Sequence, residues 1–123
     1  MPHDLWPTEL RLRADRRSLH VTFENGESFD LPAEYLRVSS PSAEVRGHGP
    51  AERKTVPGKR DVRIVKVDPV GNYAVRLTFD DTHDTGIYGW GYLRELGANQ
   101  AERWTAYLAE LEAKGLSRES RRP

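Results

Sequence analysis

The stretch Arg76-Leu-Thr-Phe-Asp-Asp-Thr-His-Asp-Thr-Gly-Ile-Tyr-Gly-Trp-Gly-Tyr-Leu-Arg-Glu-Leu96 decides the fold. Its hydrophobic period changes from strand-like alternation to helix-like spacing within about twenty residues. The strand entering it begins at Tyr73, with Tyr73, Val75, Leu77 and Phe79 on one face. Asp80 to Asp84 forms a polar turn into a short strand, Thr85 to Tyr88. Gly89 or Gly91 then opens a short helix whose Trp90, Leu93 and Leu96 make one buried stripe, and Gly97 is placed to cap its end.

On the N-terminal side, Thr8 to Arg13 and Ser18 to Phe23 alternate as half-buried strands. The Asn25-Gly26 pair predicts a tight hairpin with both central residues at positive φ, leading into a strand at Ser28 to Leu31. Pro32 to Arg37 reads as one or two helical turns with proline at the first helical position. Ala43 to Lys59 is a long Gly- and Pro-containing loop with a short turn at Ser42 to Val45. The β-branched run Asp61 to Val67 predicts a central strand, turned back by Asp68 to Asn72. Asn99 to Lys114 is the clearest helix: Asn99 and Glu102 have capping-box spacing, and Ala101, Trp104, Leu108 and Leu111 recur at helical intervals beside Tyr107. Gly115 stops it, and the polar residues 116–123 read as a disordered tail.

Adjacent hairpins followed by helices predict an α+β fold: a small antiparallel sheet of short hairpin-connected strands, helices on one face, and a C-terminal amphipathic helix. Residues 1–97 form the domain, 98–115 the helix packed on or extending it, and 116–123 the tail. The 123 residues accommodate a single hydrophobic core.

Nineteen basic and nineteen acidic residues cancel, so no global field steers the chain toward nucleic acid or an anionic membrane. The absence of cysteine removes disulfides, thiolate ligands and a thiol nucleophile, and fits a cytoplasmic setting. No apolar run approaches the roughly 20 residues needed to span a bilayer. The expectation is a soluble cytoplasmic chain with no membrane partner.

Candidate chemistry is sparse. His83 lies between Asp81 and Asp84, and an imidazole among carboxylates can ligate a divalent ion or titrate near neutrality. The bland alternative is a turn histidine bonded to the backbone. His48, in Arg46-Gly-His-Gly-Pro50, is the other histidine in a candidate loop, so His83, His48 and Asp84 are the metal candidates, with iron or zinc as the ion. Ser39, Ser40 and Ser42 lack a nucleophile elbow, and no phosphate-loop motif exists. The segment 44–66 has a local basic excess, from which Arg46, Lys59 and Arg60 are candidates for an acidic partner. Without interleaved aromatics, nucleic-acid binding there is disfavoured. Trp90 is the aromatic candidate for a partner contact.

Two stretches read together resemble a known family. They are Leu31-Pro-Ala-Glu-Tyr-Leu-Arg-Val-Ser-Ser-Pro-Ser-Ala-Glu-Val45 with Gly47-His-Gly49, and Gly58-Lys-Arg-Asp-Val62 through Val70-Gly-Asn-Tyr-Ala-Val75 to His83-Asp-Thr-Gly-Ile-Tyr-Gly-Trp-Gly-Tyr-Leu93. Over residues 8–97 the chain looks like the gamma-butyrobetaine hydroxylase-like N-terminal domain family, in its stand-alone bacterial form. The resemblance implies a small α+β domain that also occurs fused to carnitine-pathway hydroxylases and to P-loop scaffolds of iron–sulfur cluster assembly. In the hydroxylases it implies a zinc site of three cysteines and a histidine, which match Ser40, Ser42, Val45 and His83 here. Three of those four ligands are missing, so this version is expected to fold without that zinc, with Pro41, Val45 and apolar neighbours filling the place.

The expected function is a non-enzymatic accessory or interaction domain with a protein partner, linked by family analogy to metal or iron–sulfur metabolism, and no cofactor. The alternative is a metal-dependent domain with a catalytic role for His48 and His83. A third is weak anion or nucleic-acid binding by residues 44–66.

Overall fold

The computed structural model describes residues 5–42 and 55–119. Strands β1 (Pro7–Leu12), β2 (Ser18–Phe23) and β3 (Ser28–Pro32) form one antiparallel sheet in the order β1-β2-β3. Strands β4 (Ile64–Val70), β5 (Ala74–Phe79) and β6 (Gly86–Gly89) form a second, in the order β4-β5-β6. Helices α1 (Ala33–Val38), α2 (Trp90–Ala98) and α3 (Gln100–Ala113) complete an α+β fold. The strands divide between two small sheets, where a single sheet was expected.

Strict alternation decides the first sheet. Leu19, Val21 and Phe23 of β2 are buried on one face, opposite Leu31 and Phe29 of β3. In the second sheet Val75, Leu77, Phe79 and Tyr88 point inward, and the two sheets share one core with Leu36, Leu93 and Leu96 from the helices. Burying each such side chain contributes roughly 1.5–3 kcal/mol. The sheets also join through backbone: the Ile64 N–H donates to the Arg16 carbonyl at 2.8 Å. Helix α3 lies against α1, with the Trp104 ring edge-on to Tyr35 at 6.2 Å and Tyr107 and Leu111 against Val38.

Several local expectations are corrected. The Asn25-Gly26 hairpin has only Gly26 at positive φ, 90°. The Gly26 N–H donates to Phe23 and the Asn25 side chain accepts from Glu27, a longer loop than the two-residue turn. Strand β4 begins at Ile64, runs through Val70 and is an edge strand, not a central one. Pro69 lies within it, and an edge tolerates the lost donor. Tyr73 falls just before β5 and is 59% exposed. Pro32 is the residue before α1, not its first.

Gly97 does not cap α2, which continues to Ala98. A Cβ at Gly97 would stand 2.3 Å from the Phe29 ring, so the glycine is required by close approach of α2 to β3. The Asn99 capping box is absent: the Asn99 side chain donates instead to the Glu95 carbonyl, because α2 ends where α3 begins. Leu108 of α3 is exposed, and the buried stripe is Trp104, Tyr107 and Leu111. Gly115 (φ 66°) does end α3, with Leu116 N–H bonded to the Leu111 carbonyl and Gly115 N–H to Glu112.

Residues 116–119 are docked, against the expected disorder. The Ser117 and Arg118 carbonyls accept from the Gly58 and Arg60 amides at 2.8 and 3.0 Å. The Arg118 guanidinium reaches Glu34 with two hydrogen bonds. The polar composition misleads because this segment gains its order from partners far away in sequence.

Replacing Gly97 by Ala should destabilise the fold by about 1–3 kcal/mol, since the Phe29 ring must shift out of a filled core. Urea denaturation of Gly97→Ala and of Gly89→Ala, where a Cβ meets only a carbonyl at 3.8 Å, checks this. The second change should be much milder.

Candidate functional site

The turn between β5 and β6 carries the densest polar cluster. Asp81 sits at its centre: Oδ1 accepts from the His83 N–H at 3.0 Å, and Oδ2 accepts from Arg37 Nε at 2.8 Å and Lys59 Nζ at 2.6 Å. Asp-x-His spacing makes the first bond local, since an aspartate readily accepts from the amide two residues on. Thr82 between them takes φ 74°. The other two bonds bring α1 and the segment before β4 onto the turn.

Burial by itself raises the Asp81 pKa, but the bonds from Lys59, the His83 amide and Arg37 outweigh it and hold the carboxyl down at about 2. Two cations on one carboxylate leave a local positive excess. Arg37 Nη1 is buried and has no hydrogen-bond partner among the described residues.

The His83 ring points inward, 7% exposed, and Nε2 hydrogen-bonds Ser40 Oγ at 2.9 Å. Beside it Ser42 Oγ bonds Thr85 Oγ1 at 2.7 Å. The segment after α1 is thereby fastened to the β5–β6 turn. Gly86 permits this: a Cβ there would lie 2.5 Å from Ser40 Oγ. A histidine stands behind a serine here, and such a pair is half of a nucleophile's apparatus. Ser40, however, is 1% exposed, and the pair is closed over by Gly86 and Pro41.

The other predicted residues are dispersed. Asp84 follows His83 but is exposed, whereas the His83 ring is buried. Lys59 is committed to Asp81, and Arg60 pairs with Glu119 near the surface. Trp90 is half-buried, its Nε1 donating to the Asn72 carbonyl at 3.0 Å. His48 and Arg46 lie outside the described residues. Among the described residues no group of three or more His, Cys, Asp or Glu side chains converges as a metal site.

Ser40 and His83, two of the positions that the resemblance matched to zinc ligands, do come together; Ser42 is beside them, and Val45 lies outside the described residues. One imidazole with neutral hydroxyls does not fit tetrahedral zinc, which takes thiolates, imidazoles or carboxylates. Hydroxyl-centred hydrogen bonds occupy this place, with Pro41 beside them at Gly86.

Sequence reasoning missed Asp81 as the hub. It also missed the tyrosines: Tyr88 Oη donates to the Leu36 carbonyl and Tyr92 Oη to Ser39, satisfying the end of α1, while Tyr35 reaches Leu96 and Tyr107 reaches Val56. The only local signal was Asp-x-His. A cleft of about 70 Å³ between α1 and α3, lined by Tyr35, Ser39, Thr55, Arg103 and Glu110, has space for a water or two.

Acid should expose the hub. The folded pKa of Asp81 is depressed, so its contribution is full above the unfolded value near 4 and is lost as pH falls toward 2. In Asp81→Asn, stability at pH 7 should drop by on the order of 2 kcal/mol, and the loss between pH 4 and 2 should shrink correspondingly. Denaturant melts at pH 7, 4 and 2.5 test this; an unchanged pH dependence would contradict it.

No curated protein matches the chain. Among solved structures it is similar to two proteins known from NMR solution structures. One is 43% identical, with TM-score 0.83 over 98% of this chain and 95% of that one. The other is 48% identical, with TM-score 0.82 over 98% and 91%. It is also similar to a protein of unknown function in the DUF971 family from Acidithiobacillus ferrooxidans, known from a crystal structure. That one is 41% identical, with TM-score 0.63 over 75% of this chain and 92% of that one. Residues 10–94 match the family described as gamma-butyrobetaine hydroxylase-like, N-terminal. With most of its length in that match and its strands and helices in an α+β arrangement, the chain belongs to the gamma-butyrobetaine hydroxylase-like N-terminal domain family.

Proposed function

We propose that this chain is a non-enzymatic accessory domain that docks a protein partner through the outer face of its second sheet. One observation carries the proposal: the chemically capable side chains turn inward, while three large apolar ones on or beside the second sheet are left exposed. His83, Ser40, Asp81 and Lys59 are bonded to one another or to their neighbours inside the fold. Tyr73, Ile87 and Val65 are 59%, 45% and 43% exposed. Ile87 stands across from Arg76, which is itself opposite Asp68, and the Trp90 amide bonds the Tyr73 carbonyl. Apolar anchors bordered by charge suit a protein contact. Among the described residues no helix is long and apolar enough to cross a membrane.

A cytoplasmic setting and a link to metal or iron–sulfur metabolism belong to this proposal. The second rests on the fusions that the family resemblance implies, and a site rather than a fold decides activity. A metal-dependent alternative uses His83, His48 and Asp84 around one divalent ion.

The double substitution Tyr73→Ser with Ile87→Ser should leave the melting temperature within a few degrees and abolish co-purification of the partner from the host. A partner retained by the double variant would overturn the docking face. Metal analysis of untagged protein should find no stoichiometric iron or zinc, and His83→Ala should lower stability without changing metal content. A stoichiometric ion lost in that variant would establish the alternative. Mixed oligonucleotides should show no binding that falls steeply with salt, because Lys59, Arg60 and Lys66 already face Asp81, Glu119 and Asp68.

A further inference from the structure

A second built feature lies away from the His83 cluster. Glu34 of α1 is a carboxylate whose side chain is only 7% exposed. Both its oxygens are occupied by one guanidinium: Arg118 Nε donates to Oε2 at 2.8 Å and Nη2 to Oε1 at 2.6 Å. The same guanidinium carbon lies 5.1 Å from the Trp104 ring centroid. On either side, main chain pairs with main chain: Gly58 and Arg60 amides bond the Ser117 and Arg118 carbonyls.

A planar fork on a carboxylate, an aromatic face over the cation and amides that bond the adjacent carbonyls together recognise an arginine and the backbone that carries it. We propose that Glu34 and Trp104 form a guanidinium socket for an arginine in a short peptide segment bent as residues 117–119 are, and that Arg118 is its resident, displaceable occupant. The argument for that class of ligand is the resident segment itself, which shows which side chain and which backbone form the socket accepts. Lysine cannot replace it, because an ammonium offers no parallel pair of donors at this spacing.

Displacement is favoured by the attachment. The segment starts at Gly115, at φ 66°, immediately after α3. Its outermost tie, Glu119 to Arg60, joins two side chains that are about half exposed, so it holds weakly. Once vacated, the socket keeps its demand for a cation, since a buried carboxylate without a partner is strongly unfavourable. The site is independent of the docking face around Tyr73.

The test uses the full chain carrying Arg118→Ala and the acetylated peptide Leu-Ser-Arg-Glu, copied from residues 116–119. Binding is followed by the NMR shift of the Trp104 indole N–H. The peptide should bind saturably, and at least about tenfold more weakly to the unaltered chain, where Arg118 competes at an effective concentration in the millimolar range. The same peptide with lysine for arginine, or Glu34→Gln added to the variant, should reduce binding at least about tenfold. Equal binding of the lysine peptide, or no shift at millimolar peptide, overturns the proposal. Should Arg118→Ala not fold, hydrogen exchange of the unaltered chain decides: the Gly58 and Arg60 amides should exchange at least about a hundredfold faster than those of β2. Protection equal to β2 would mean the segment never leaves the socket and would equally overturn the proposal.

Discussion

A carboxylate shared by two cations holds this fold together at its most polar point. Asp81 binds Arg37 from α1, Lys59 from the segment ahead of β4, and the backbone of its own turn. Each of those elements is short: α1 spans six residues and β6 four. Elements of that length are not stable alone. Apolar burial brings them together without direction, whereas the Asp81 bonds fix where the turn sits and so place His83. The His83 ring then reaches Ser40 and fixes the chain leaving α1. Loss of the carboxylate would free both cations inside a partly buried site and loosen that sequence of contacts.

The tyrosines answer a different problem, the unpaired carbonyls at a helix end. Helix α1 is too short to hide its C-terminal carbonyls, and Tyr88 and Tyr92 reach across from β6 and α2 to bond those of Leu36 and Ser39. Desolvation raises the Tyr88 hydroxyl pKa well above its ordinary value, so the group remains a donor at any physiological pH. Tyr88 and Tyr92 thus act as long-range caps of the end of α1. Close packing in the same region needs Gly86 against Ser40, as Gly97 is needed against Phe29.

Much of the fold was legible because alternation and turn chemistry are local. Strand β2 follows from Leu19, Val21 and Phe23, and the end of α3 from Gly115. The β-branched run 61–67 was misleading: it carries no clean period, and neither the bulge between Ile64 and Lys66 nor the edge position of β4 has a local signature. Gly97 was ambiguous for a related reason, since a cap and a close contact both require glycine and only the position of Phe29 distinguishes them. The site was half legible. His83 stood out by type and Asp81 by spacing, but Arg37, Lys59 and Ser40 join them across long stretches of chain. Residues 116–119 read as disordered because Glu34, which orders them, is 84 residues from Arg118.

These contacts explain how the chain can dispense with the sulfur ligands that the family resemblance implies elsewhere. A metal bound by four ligands fastens several segments at once and contributes folding free energy directly. One serine–histidine bond contributes only about 1 kcal/mol, so it cannot replace such a centre alone. The fastening is instead spread over contacts in one neighbourhood: Ser42 on Thr85, Tyr92 on Ser39, Arg37 and Lys59 on Asp81. Most of them tie α1 and the residues just after it to the β5–β6 turn or to α2, and Lys59 adds the segment ahead of β4. Distributed bonds of this kind hold the β5–β6 turn against the end of α1 through many small contributions, with no convergent metal-ligand set among the described residues.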